Sequence, residues 1–268
     1  MKLHEIAGKE MLVNPEPTHQ KELLDDSSLE EHKKQIISTL QKECSEVLRI
    51  YKKVNGKTAS PLKVNYMFRG ERSDAGFFKN SIWAKRKPKY LNRIIHDASI
   101  DAFTNLGLIA NRENAIFCAR YKTASHWGNN VYLIFPTDGY EITWFDSPKV
   151  GEYMYDKLEG AQEQFVEEAA QEKFPEYHMA EYEQYLSYMR KLTRNLEKRD
   201  EQTFKEFTSY LEEIVKEYNP VSNELERALT TTKNNEFLVS GNAYYGLNFH
   251  WLMDNGKHDF VKELFKGV

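Results

Sequence analysis

The sequence predicts an α+β protein. Strand-like segments rich in β-branched and aromatic residues dominate residues 64 to 145 and return near 236 to 249. Residues 151 to 230 are instead rich in Glu, Gln, Lys, Leu and Tyr, with only Gly151, Gly160, Pro175 and Pro220 as breakers. Strand runs and helix runs separated along the chain are the signature of that class. At 268 residues the chain suits one large domain or two small ones, with a core that needs no staples.

Taken in order, residues 1–27 carry Pro15, Pro17 and a polar run, and read as a flexible arm. Ser28 and Glu31 form a capping box. Ile36, Ile37, Leu40, Cys44, Val47, Leu48 and Tyr51 then recur at helical spacing, predicting one long helix ended by Asn55-Gly56. Gly56-Lys57-Thr58 is not the tail of a P-loop, because that motif needs a glycine where Tyr51 stands. Val64 to Gly70, VNYMFRG, is a strand ending in arginine and glycine. Leu91, Ile94, Ile95, Ala98, Ala102 and Phe103 make a helix face closed by Gly107. Arg112 to Pro136, RENAIFCARYKTASHWGNNVYLIFP, reads as strand, short polar helix and strand, and Gly139 to Phe145 as a further strand. Residues 28–150 thus hold the first part of an α+β core, 151–230 a helical insertion, and 231–268 the last part, with Glu236 opening a strand and His258 to Phe265 a final helix.

Net charge is -4, from 37 basic and 41 acidic residues, which gives no global attraction to nucleic acid. Residues 79 to 93 nevertheless hold Lys85, Arg86, Lys87, Lys89 and Arg93 without an acid, a strip suited to phosphate or equally to a solvated loop. No apolar run is long enough to span a bilayer, and the amino terminus lacks an apolar secretory core. Two cysteines, Cys44 and Cys118, make no disulfide framework, so a reducing cytoplasm is expected. GxGxxG, HExxH and paired CxxC are absent, leaving Rossmann binding and zinc without support. Cys118 with His126 as thiol and base is less favoured than a buried, inert thiol.

Three features remain: Arg69-Gly70 ending one strand, hydroxyl residues after a second, and Glu236 opening a third. In YMFRG, IFCARYKTASHWG and NNEFLVSG the chain resembles the arginine-serine-glutamate branch of the ADP-ribosyltransferase superfamily. The run from FFKNSIWAKRKP to YLIFPTDGYEITW is also similar to uncharacterised bacteriophage proteins. The resemblance covers residues 64 to 145 and about 234 to 250. It implies a split, mostly antiparallel β core, NAD as substrate without a metal, and a macromolecular acceptor, protein or nucleic acid. Two departures stand out: Cys118, Ala119 and Arg120 occupy the place of the usual Ser-Thr-Ser, and Asn234 that of the second acid of arginine-modifying members, so arginine is not the favoured acceptor.

In that reading Glu236 stabilises the oxocarbenium character that develops when the nicotinamide glycosidic bond breaks. Arg69 offers forked donors to a phosphate or ribose oxygen, with Gly70 beside it. Thr123 or Ser125 positions the substrate or Glu236, and His126, Trp127 or Tyr66 stacks on nicotinamide. Each residue also has a bland reading. Arg69 can pair with a surface carboxylate, Glu236 can be a solvated strand-start residue, Thr123 and Ser125 can cap the short helix, and His126 and Trp127 can pack. Two other functions stay open: a non-catalytic nucleic-acid-binding protein using the 79–93 strip, and an NAD glycohydrolase with water as acceptor.

Overall fold

The computed structural model describes residues 21–24, 26–56, 65–85, 92–146, 154–175, 181–231, 236–254 and 258–268. Nine strands form one sheet: β1 (Lys21–Leu24), β2 (Phe68–Glu71), β3 (Phe77–Ser81), β4 (Ala115–Ala119), β5 (Asn130–Pro136), β6 (Glu141–Phe145), β7 (Pro220–Ser222), β8 (Glu236–Ser240) and β9 (Ala243–Asn248). Their order is β1-β3-β9-β5-β2-β4-β8-β6-β7, and every pairing is antiparallel. Ten helices accompany them among the described residues: α1 (Asp26–Glu43), α2 (Ser45–Asn55), α3 (Arg93–Asn105), α4 (Tyr121–Ala124), α5 (Met154–Lys173), α6 (Tyr182–Glu197), α7 (Glu201–Glu217), α8 (Leu225–Thr230), α9 (Phe249–Asp254) and α10 (His258–Lys266). The α+β class is as the sequence predicts. None of these helices is long and apolar enough to cross a membrane.

Local signals explain several boundaries. The Asn92 side chain accepts the Ile94 N–H at 3.0 Å and starts α3, and Gly107, at φ 70°, follows its end as expected. Asp200 caps α7 through the Thr203 N–H at 3.0 Å. Three expectations need correction. The single amino-terminal helix is two, interrupted at Cys44, and α1 already begins at Asp26, so Ser28 lies inside it. Residues 21–24 of the expected arm are an edge strand paired with β3, while residues 1–20 lie outside the described residues. The 151–230 insertion is not purely helical, since β7 extends the sheet beside β6.

Alternation along the strands divides the core. Ala115, Phe117, Leu238 and Phe145 pack with α3, α5, α6 and α7, so the insertion is a layer on the sheet rather than a separate body. Ile116, Cys118, Phe237, Val239, Ile142 and Trp144 belong instead to the larger core, with α1, α2, α8 and α10 and with β2, β3, β5 and β9. Tyr51 of α2 is fully buried there, donating to the Ile134 carbonyl at 2.7 Å and accepting the Met67 N–H at 3.3 Å.

The sheet has one weak seam. β2 and β4 share a single register pair, Phe68 with Ala119, whereas β4 pairs with β8 over five positions and β2 with β5 over four. The connection from β4 through α4 to β5 passes over β2 at this seam. A Cβ on Gly70 would lie 2.3 Å from the Ala124 carbonyl and 2.7 Å from the Gly128 nitrogen, and a Cβ on Gly128 would lie 2.5 Å from the Glu71 nitrogen. Both glycines are therefore required by backbone lying on backbone. Gly70→Ala is expected to cost more than about 2 kcal/mol in urea unfolding, because neither neighbour can yield cheaply; an unchanged midpoint would remove this account of Gly70.

Candidate active site

β2, β4 and β8 are adjacent strands, so the three sequence-distant motifs come together in the middle of the sheet. Arg69 is 7% and Glu236 5% exposed, two ionisable side chains in largely apolar surroundings. The Arg69 guanidinium spans the seam. Its Nη1 donates to the Phe117 carbonyl of β4 at 2.7 Å, and its Nε pairs with the Glu71 carboxylate. Residues 69 and 71 share a face because side chains alternate along a strand. The Tyr244 hydroxyl donates to the same Glu71 oxygen at 3.2 Å and accepts from Asn80 at 3.3 Å. Burial pulls the guanidinium pKa down, but the Glu71 carboxylate beside it outweighs burial and holds the value above the ordinary one. Arg69 therefore stays charged at every working pH.

Glu236 lies opposite Ala119, and its Oε2 accepts the Met154 N–H at 3.0 Å. Met154 is the first residue of α5, so this carboxylate also serves the amino end of a helix, where negative charge is favoured. The register places Phe68, Ala119 and Glu236 in one row across the sheet, two strand spacings or about 10 Å from end to end. Directly paired residues share a face, so Arg69, one position along, points to the opposite face from Glu236. The structure brings their strands together but not their charged groups.

Arg120 stands immediately after β4, next to Ala119, the cross-strand partner of Glu236. Its Nη2 donates to the carbonyls of Ala228 at 2.9 Å, Leu229 at 2.7 Å and Thr231 at 3.2 Å, around the end of α8. Its guanidinium also lies 6.0 Å from the Phe237 ring centre. Burial lowers its pKa to about 10. Arg112 places a second guanidinium 5.3 Å from the Phe117 ring centre, on the Glu236 side of β4.

The remaining expected residues scatter. Thr123 is buried in α4, Ser125 and His126 are exposed beyond it, and Trp127 is half-buried. The Ser125 hydroxyl donates to the Lys122 carbonyl at 2.8 Å, a local bond at the end of the short helix. Tyr66 is a core residue, edge-on to Tyr51 at 4.9 Å and to Phe68 at 6.3 Å. Cys118 is fully buried, and burial pushes its thiol up to about 12, so it is inert at neutral pH. Of the basic strip, Lys85 is exposed and Arg93, also exposed, pairs with Asp97 at 3.6 Å; Arg86, Lys87 and Lys89 lie outside the described residues, as does Asn234. Among the described residues no group of three or more His, Cys, Asp or Glu could hold a metal ion.

Sequence reasoning missed Glu71, Tyr244 and Arg120. The Arg-Gly-Glu spacing in FRGE could have flagged Glu71, because period two puts it beside Arg69; nothing local points to Tyr244 or to the partners of Arg120. Comparison with known proteins finds no matching family model, no matching curated protein and no matching solved structure.

Removing Arg69 takes the guanidinium away from a half-buried Glu71 and from the Phe117 carbonyl. Arg69→Met is expected to cost about 3–5 kcal/mol by chemical denaturation, and adding Glu71→Gln to recover part of it. Strictly additive losses in that cycle would show that the pair is not coupled.

Proposed function

We propose that the chain is an NAD-dependent mono-ADP-ribosyltransferase acting at the β2–β4 seam, with a macromolecular acceptor, protein or nucleic acid. The observation that carries the reading is the strand order. β2, β4 and β8 stand side by side, so the Arg-Gly, Phe-Cys-Ala-Arg and Glu-Phe-Leu-Val motifs share one region although they are spread from residue 68 to residue 239. The buried charges at Arg69 and Glu236 add support, since such groups are costly unless structure or function retains them.

The chemistry follows from those two side chains. NAD loses nicotinamide with the electron pair of the glycosidic bond, and positive charge develops on the ribose. The Glu236 carboxylate stabilises that charge and accepts a hydrogen bond from a ribose hydroxyl. The acceptor attacks the anomeric carbon and gives up a proton. Arg69 makes no hydrogen bond through Nη2 among the described residues, which leaves a donor edge for a phosphate or ribose oxygen. Because Arg69 and Glu236 face opposite ways, this reading places the substrate where β2 and β4 part, beyond the single Phe68–Ala119 pair. An effector role in a host cytoplasm, for a bacteriophage-borne protein, belongs to the same proposal. The two free, buried cysteines fit a reducing compartment.

The test is incubation with labelled NAD, with and without a bacterial lysate, beside Glu236→Gln. Label on a macromolecule that falls by ~100-fold or more in the variant is the expected result. Nicotinamide release without transfer would move the assignment to a glycohydrolase, and absence of NAD binding would overturn it.

A further inference from the structure

Arg120, to which the motif reading gives no chemical role, lies next to the strand pair that carries Glu236. Arg120 follows Ala119, which is the cross-strand partner of Glu236. Its guanidinium sits by the ring of Phe237, the next residue of β8. It also holds the carbonyls of Ala228, Leu229 and Thr231, the last of them five positions before Glu236. A buried cation at a helix carboxyl end meets the partial negative charge of orphan carbonyls, and a guanidinium can serve several at once where an ammonium cannot match the fork.

We propose that Arg120 is the positioning residue for Glu236: by tying the end of β4 to the end of α8 and packing on Phe237, it fixes the β4–β8 pair at Ala119 and Glu236 and so where the catalytic carboxylate stands. The proposal rests on the assignment of Glu236 above. The contacts of Arg120 described above are to backbone carbonyls and an aromatic ring, so its role is to position Glu236 rather than to bind substrate. Its loss shifts the carboxylate relative to the seam without removing any group that binds NAD. A misplacement of about 1 Å at a reacting centre is enough to cost ~100-fold in rate.

The experiment compares wild type, Arg120→Met and Arg120→Lys by NAD turnover, with amide hydrogen exchange on the same proteins. For Arg120→Met the expected result is a kcat lower by ~100-fold with KM within ~3-fold, and for Arg120→Lys a recovery of ~10-fold from the charge it keeps. Exchange is expected to quicken in residues 228–238 and not in β5 or β9. A folded Arg120→Met with wild-type kcat, a KM change equal to the kcat change, or a lysine variant no better than methionine overturns the proposal. If Arg120→Met does not fold, the lysine variant decides by exchange: loosening confined to residues 228–238 supports the role, and uniform or absent loosening overturns it. Should wild type itself fail to turn over NAD, the assignment of Glu236 falls, while the exchange pattern still judges whether Arg120 holds the β4–β8 pair at Ala119 and Glu236.

Discussion

The structure depends on how one arginine closes a gap in the sheet. β2 and β4 touch at a single register pair, and beyond it the Arg69 guanidinium reaches the Phe117 carbonyl that a longer ladder would have bonded. Glu71 neutralises that guanidinium and is itself held by Tyr244. A largely buried pair of this kind gives little net stability compared with apolar packing, but loss of either partner is expensive. It therefore specifies one arrangement of the two halves of the sheet more than it strengthens them. Gly70 and Gly128 serve the same junction by letting the α4 connection lie directly on β2.

Glu236 stands in a comparable position on the other face. Its bond to Met154 links β8 to the first turn of α5, and Arg120 ties the end of β4 to the end of α8. Both residues that carry the proposed chemistry thus have structural partners, and those partners restrict their rotamers. Pre-organisation of this kind is what a charge-stabilising site requires, because a carboxylate that needs no reorientation stabilises a developing cation at little reorganisation cost. The same contacts mean that variants at these positions must be read with a folding control beside them.

Much of the fold was legible because its signals are local. Short apolar runs such as AIFCA and NVYLIFP became β4 and β5, and the apolar spacing of residues 91–103 with Gly107 became α3 with its terminator. The break at Cys44 was not legible, since apolar spacing runs unbroken across it; the buried thiol there donates to the Phe135 carbonyl at 3.6 Å, a partner distant in sequence. Nor was β7, a three-residue strand that exists because β6 offers it an edge. For the site, the motifs fall on adjacent strands, but side-chain direction depends on register, and register is a tertiary property. Hence Arg69 and Glu236 were expected together and are found on opposite faces, while Tyr66, expected on a ligand, lies in the aromatic core.

The central claim is that the β2–β4 seam receives a ligand. The most direct measurement is amide hydrogen exchange of the full chain with and without saturating NAD. The account predicts slowed exchange in three segments, around residues 69–71, 117–123 and 236–238, with the outer strands β1 and β7 unchanged. NAD binding that protects other segments and leaves these three as they were would contradict it.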